Sequence, residues 1–236
     1  MIKIAQASAI RLGITTDTPA APLAHLLALQ RAEEPLTPVL VQEMSPEALA
    51  QGVSLGLVHL GVVGDRMLPM GMRSLPLWRD ELAVALPLGS VLATHESLTV
   101  AALQDFPLIQ WCPDTHGLLN QQVKSLVGDH WDTSRTVRSF PLMACLVAAG
   151  YGVGFAFRSH MTVASEWKIM MHPLAEGPRW IQTVLFWHPG TYSCAIERFI
   201  QRVAGAYSQS LMSQAIHAEL PLKHPLCYLQ NGESDD

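Results

Sequence analysis

Residues Leu142–Arg158 read LMACLVAAGYGVGFAFR, and they decide the fold. Ser139 and Pro141 precede them, a capping residue and a residue tolerated in the first turn of a helix. Leu142, Met143, Leu146 and Val147 fall on one face at helical spacing, and Cys145, Ala148 and Ala149 leave room for close packing. Gly150 ends the helix, where a left-handed residue is usually required, and Gly152 and Gly154 keep the turn tight. Val153, Phe155, Ala156 and Phe157 read as a strand buried on both faces. The order is helix, glycine turn, strand. A dinucleotide-binding loop needs the reverse order, with a helix N-terminus following the glycines. These glycines are therefore read as structural.

Working outward, the same alternation recurs. Ile10–Thr15 is a short β-rich run, and Thr18 with Pro19 opens a helix carrying Leu23, Leu26 and Leu27. Val39–Met44 is a second strand. Ser45-Pro46-Glu47 opens a short helix ended by Gly52 and Gly56, and Leu57–Val63 is a third strand. Strand, helix, strand at short spacing argues for parallel pairing in an α/β lobe. Leu82–Leu86, Pro107–Trp111 and Arg135–Ser139 read as strands of a second unit, with helices at Thr99–Leu103 and His116–Val127. Trp180–Trp187 reads as a strand returning to the first lobe, and Tyr192–Tyr207 as a helix. The tail from about Gln209 starts helical and ends in the polar run NGESDD.

Composition limits the function. The chain has 236 residues, 49% of them apolar and only 15% charged, which indicates a compact protein with a sizeable core. Its net charge of −5 and scattered Lys and Arg speak against DNA binding by this chain alone. The four cysteines form no CxxC pair, and Cys145 and Cys194 lie in apolar helical contexts that read as core. A reducing cytoplasm suits them. No signal-peptide pattern and no membrane-length apolar run occur. The ten histidines include no HExxH and no i, i+4 pair, so no metal is expected. There is no GxSxG elbow and no paired acid/base carboxylates, so catalysis has little support, and no cofactor is expected.

Four segments in order carry a family resemblance: Ile10–Gly13, Pro38–Glu43 (PVLVQE), Leu75–Pro87 (LPLWRDELAVALP), and LVAAGYGV within the central stretch. Together they resemble the effector-binding domain of LysR-type transcriptional regulators, over roughly Ser8 to Ser208. The resemblance implies two α/β lobes joined by two crossings, similar to the type 2 periplasmic-binding-protein fold. The crossings would lie near Leu82–Pro87 and Leu174–Ile181. Lobe I would comprise residues 1–81 plus 175–208, lobe II residues 82–174, and a tail residues 209–236. It also implies a small-molecule effector between the lobes. It further implies a homodimer in which the leucine-rich helix at Thr18–Ala32 packs on a partner's helix at His116–Val127. The family places a winged helix-turn-helix before the sensor, whereas here the first strand starts within ten residues of Met1. Only the sensing half is therefore expected to operate in this chain. Two other classes share the fold: a solute-binding protein for transport, and an enzyme acting on a small acid.

Ligands in open α/β sheets bind beyond the carboxyl ends of the strands, which singles out five loops. Thr15, Thr16, Asp17 and Thr18 follow the first strand, and amides and hydroxyls there suit a carboxylate or similar anion. Asp17 would repel an anion and select an amine or a hydroxyl instead. Ser45 is the matching position after the second strand, where capping alone would also account for it. Trp111, Thr115 and His116 follow a second-lobe strand, Ser139 and Phe140 open the central helix, and Arg158 ends the central strand. Arg158 could neutralise an anion or be a solvated surface charge.

Overall fold

The structure is a computed structural model that describes residues 9–128, 135–190 and 192–218. The chain opens with β1 (Ile10–Ile14), α1 (Ala20–Glu33), β2 (Val39–Glu43), α2 (Pro46–Ser54) and β3 (Leu60–Gly64). The long β4 (Arg73–Pro87) leads into α3 (Val100–Leu103), β5 (Leu108–Trp111), α4 (Gly117–Val127), β6 (Arg135–Val137), α5 (Phe140–Ala148) and β7 (Val153–Phe157). A short α6 (Met161–Ala164), β8 (Ile169–His172), β9 (Trp180–Trp187) and α7 (Cys194–Ala218) complete it. Among the described residues the strands join in one nine-stranded sheet, ordered β2-β1-β3-β9-β4-β7-β5-β6, with β8 also on β4.

The sheet divides into two lobes because β4 changes partner along its length. Arg73–Glu81 pairs with β9, and Leu82–Pro87 pairs with β7 and β8. The first crossing is therefore the step from Glu81 to Leu82, and the second is the return from β8 to β9. They run side by side, since the Leu82 amide donates to the Arg179 carbonyl at 2.9 Å. In the first lobe β1 is parallel to β2 and β3, as the short strand-helix-strand spacing requires. Period-two alternation splits its core. Leu60, Val62 and Leu185 face α1 and α7 through Leu23, Leu26, Ile196 and Phe199, while Val63, Val184 and Phe186 face α2 through Leu49 and Val53. Arg198 and Arg202 of α7 clasp Glu34 beyond the end of α1 at 2.6 and 3.0 Å. The second lobe has one continuous core around Phe155, Leu82, Met143 and Val147.

The central stretch forms as its residues dictate. Ser139 caps α5, its hydroxyl accepting from the Leu142 amide at 3.4 Å. Gly150 takes a φ of 78° and Gly152 one of 150°, and β7 follows, fully buried. Three details differ from expectation. Leu142 and Cys145 are exposed, because α5 buries Met143, Ala144 and Val147 instead. Cys194 is exposed too, so neither helical cysteine is a core residue. Gly52 lies inside α2 rather than ending it. The last residues of the tail, 219–236, lie outside the described residues.

Candidate functional site

Four strand ends converge on one cleft of about 380 Å³ between the lobes. The turn after β1 supplies Thr16, Asp17 and Thr18, followed by Pro19–Pro22 at the start of α1. From the second lobe, the end of β5 and the start of α4 supply Trp111, His116 and Leu119; the turn after β6 supplies Arg138, Ser139 and Phe140; the end of β7 supplies Phe157, Ser159 and His160. All four are carboxyl ends, where amides and loop side chains open outward.

Each wall is held by a nameable contact. Trp111 is pinned by its indole N–H, which donates to the Phe155 carbonyl at 2.5 Å. His116 lies against Trp111 with ring centroids 4.3 Å apart, and His160 stacks on Phe140 at 4.1 Å. Burial holds His116 down at about 4, with the positive charge of His160 acting in the same direction. Burial also lowers His160, against the Phe157 carbonyl and the Asp80 charge. Burial thus disfavours the charged form of both imidazoles. Asp17 is the opposite case. Burial pushes its carboxyl up to about 7, although the amides of Leu119 and Leu118 favour its charged form. Those amides belong to the first turn of α4, so Asp17 reaches from one lobe to the helix start of the other. Its Oδ1 and the Thr18 Oγ1 are buried without a hydrogen-bond partner among the described residues. The lobes also touch at Gly64, where an added Cβ would meet Leu118 Cδ2 at 2.0 Å.

Of the eleven residues singled out from sequence, the cleft brings together Thr16, Asp17, Thr18, Trp111, His116, Ser139 and Phe140. The other four sit elsewhere. Thr15 is buried in the turn, its carbonyl accepting from the Thr18 amide. Ser45 caps α2, accepting from the Ala48 amide at 3.2 Å. Thr115 lies behind His116, its hydroxyl 3.0 Å from Nδ1. Arg158 turns to the hinge strand and pairs with Glu81 at 2.6 Å. There it lines a second, shallow hollow of about 490 Å³ beside Arg79, Asp80 and Trp180. Thr18 does not cap α1 either: Pro19 holds the cap position and contributes no side-chain bond. Arg138, Ser159 and His160 were missed, although the strand-end rule that selected Ser139 and Arg158 covers their loops. Phe157 was read as core, and Pro19–Pro22 and Leu119 carry no polar signal. Among the described residues no group of three His, Cys, Asp or Glu is placed to hold a metal ion, and no helix is long and apolar enough to cross a membrane.

The model of the LysR substrate binding domain matches residues 5–208. No curated protein matches the chain in sequence. Among solved structures, the reduced form of OxyR from N. meningitidis is 17% identical, with a TM-score of 0.73 over 86% of this chain and 95% of that one. The C-terminal domain of a probable LysR family transcriptional regulator from Rhodococcus sp. RHA1 is 23% identical, with a TM-score of 0.72 over 82% of this chain and 97% of that one. The effector binding domain of QuiR in complex with shikimate is 17% identical, with a TM-score of 0.73 over 85% and 97%. Structural likeness at these identities speaks for the fold. The sequence match spans most of the chain, and on it the protein belongs to the LysR substrate binding domain family.

Proposed function

We infer that this chain is the effector-sensing domain of a LysR-type transcriptional regulator and that it holds a small molecule in the cleft between its lobes. The observation that carries this reading is the lining itself. A single cavity draws side chains from the first lobe and from three strand ends of the second, so one ligand contacts both lobes. A ligand that bridges two bodies joined at a hinge stabilises their closed arrangement, and closure is a change that a regulator can transmit. The hinge in this reading is Glu81–Leu82 with the return strand at Arg179–Trp180, dividing residues 1–81 with 175–208 from residues 82–174. That the QuiR domain holds shikimate supports a ligand of that size class. We read the cleft as a sensing site rather than a catalytic one, in a cytoplasmic protein that works as a homodimer and does not hold DNA through this domain.

The test is a thermal-shift screen of small aromatic and aliphatic acids, amines, alcohols and amino acids. A true effector raises Tm, and Phe140→Ala, which removes a cleft wall, abolishes that rise while the variant still folds. Ligand-induced stabilisation that persists in Phe140→Ala and in a cleft-filling Leu119→Trp variant sinks the assignment.

A further inference from the structure

An acidic ligand entering this cleft would seek the first turn of α4, whose amides have no partner within the helix. That seat is already taken. Asp17 crosses from the first lobe and presents its carboxyl to the amides of Leu118 and Leu119. A second carboxylate placed there would meet like charge. Meanwhile Asp17 is only 8% exposed, and its Oδ1 has no hydrogen-bond partner among the described residues. The adjacent Thr18 Oγ1 is likewise buried and unpartnered, and both residues line the cleft. Among the described residues no cation is paired with Asp17. Only burial and the two amides act on it, burial disfavours the charged forms of His116 and His160, and Arg138 lies exposed. A buried carboxylate without a cation is costly, and a cation brought by a ligand removes that cost. The rings of Trp111, Phe140 and Phe157 line the same cleft and offer apolar surface to the body of a ligand.

We propose that the effector is a small protonated amine on an apolar or aromatic body, its ammonium held by Asp17 Oδ1 and Thr18 Oγ1 and its body held against Phe140 and Trp111. This rests on the cleft being the effector site. An ammonium carries three donors and no acceptor, so it can engage both oxygens at once. A carboxylic acid of the same shape fails at Asp17, and an alcohol lacks the charge that compensates it.

The experiment uses the full chain and three matched series: benzylamine and phenethylamine, benzoate and phenylacetate, benzyl alcohol and phenethyl alcohol. Thermal shift and titration calorimetry are run on the wild type, Asp17→Asn and Phe140→Ala. Amines are expected to raise Tm and the acids and alcohols to leave it unchanged. Asp17→Asn is expected to weaken the amines about ten- to a hundredfold, the loss of a charge-assisted hydrogen bond. The amine class is overturned if acids bind as well as amines, if no amine binds at millimolar concentration, or if amine affinity survives in Asp17→Asn. Acid or alcohol binding that Phe140→Ala removes leaves the cleft as the effector site and overturns only the chemistry. Binding that Phe140→Ala leaves untouched overturns the cleft itself.

Discussion

At the scale of single residues, Gly152 and Asp17 are each constrained by a partner distant in sequence. Gly152 combines a φ of 150° with a close approach: an added Cβ would lie 2.1 Å from the Pro107 carbonyl oxygen. That oxygen accepts from the Val153 amide and belongs to the backbone entering β5, so it cannot move aside cheaply. Gly152→Ala should destabilise by roughly 2–4 kcal/mol in denaturant unfolding, strain and overpacking together. Gly177, at φ 96° with nothing near, isolates the conformational part, and its alanine variant should lose only about 1 kcal/mol. Equal losses at the two sites would refute the carbonyl clash. Asp17 gives a pH signature instead. Its folded pKa is raised from 3.8 to about 7, so the folded state binds the proton more tightly than the unfolded chain does. The stability tied to that proton is complete below about pH 4 and is lost as pH rises to about 7, by up to ~4 kcal/mol at 1.36 kcal/mol per unit. His116, lowered to about 4, has the opposite slope below its ordinary 6.5. Because His116, His160 and Arg138 are unchanged in Asp17→Asn, the difference between variant and wild type isolates Asp17. It should grow in favour of the variant from pH 4 to 7 and then level off. A difference that stays flat across that range would mean that Asp17 titrates normally.

At the scale of elements, the helix starts separate capping from binding. Ser45 and Ser139 each follow a strand, each precede a proline, and each accept a hydrogen bond from the amide three residues on. Their surroundings differ, since only Ser139 lines the cleft. Ser45→Ala and Ser139→Ala should therefore each lose about 1 kcal/mol of stability. Only Ser139→Ala should also weaken the effector found by screening, as read by titration calorimetry. A loss of affinity in Ser45→Ala would move the site toward α2. The start of α1 differs again, because Pro19 has no side-chain acceptor and the hydroxyl of Thr18 is left for the cleft. The cap-plus-proline pattern was legible at all three helices. Which hydroxyl is spent on its own backbone was not, because one residue of offset separates a cap from a ligand contact.

At the scale of the whole molecule, assembly is the open consequence. The expectation rested on leucines of α1 left over once one face covers the sheet: Leu23 and Leu26 are buried in the first-lobe core, while Leu27 and Leu29 stay partly exposed. More apolar surface lies beside it, on the edge strand β2, where Leu40 is 57% and Val41 is 41% exposed. An uncovered apolar sheet edge is a pairing surface unless something packs on it. We expect a dimer by light scattering at micromolar concentration. Leu40→Glu should split it while leaving effector binding in place. A monomeric wild type, or a dimer indifferent to that charge, would remove this face from the interface.

The sequence by itself determined the elements and the class of site. Helix caps, the glycine turn at Gly150–Gly152 and the buried runs are local: each is set by the backbone preferences of a few neighbouring residues. The rule that ligands meet strand ends singled out Thr16, Asp17, Thr18, Trp111, His116, Ser139 and Phe140, which the fold brings to one cleft, since the rule needs only the strand boundaries. Tertiary structure alone decided the rest. Arg158 and His160 stand two residues apart, yet one pairs with Glu81 at the hinge and the other faces the cleft. Cys145 sits on an apolar helix and is still exposed, because β7 and β8 cover the opposite face. The chemistry of Asp17 depends on α4, about a hundred residues later in the chain, whose first turn meets it only when the lobes come together. Burial and charge compensation are properties of surfaces that meet, and no short window of sequence contains both sides of such a contact.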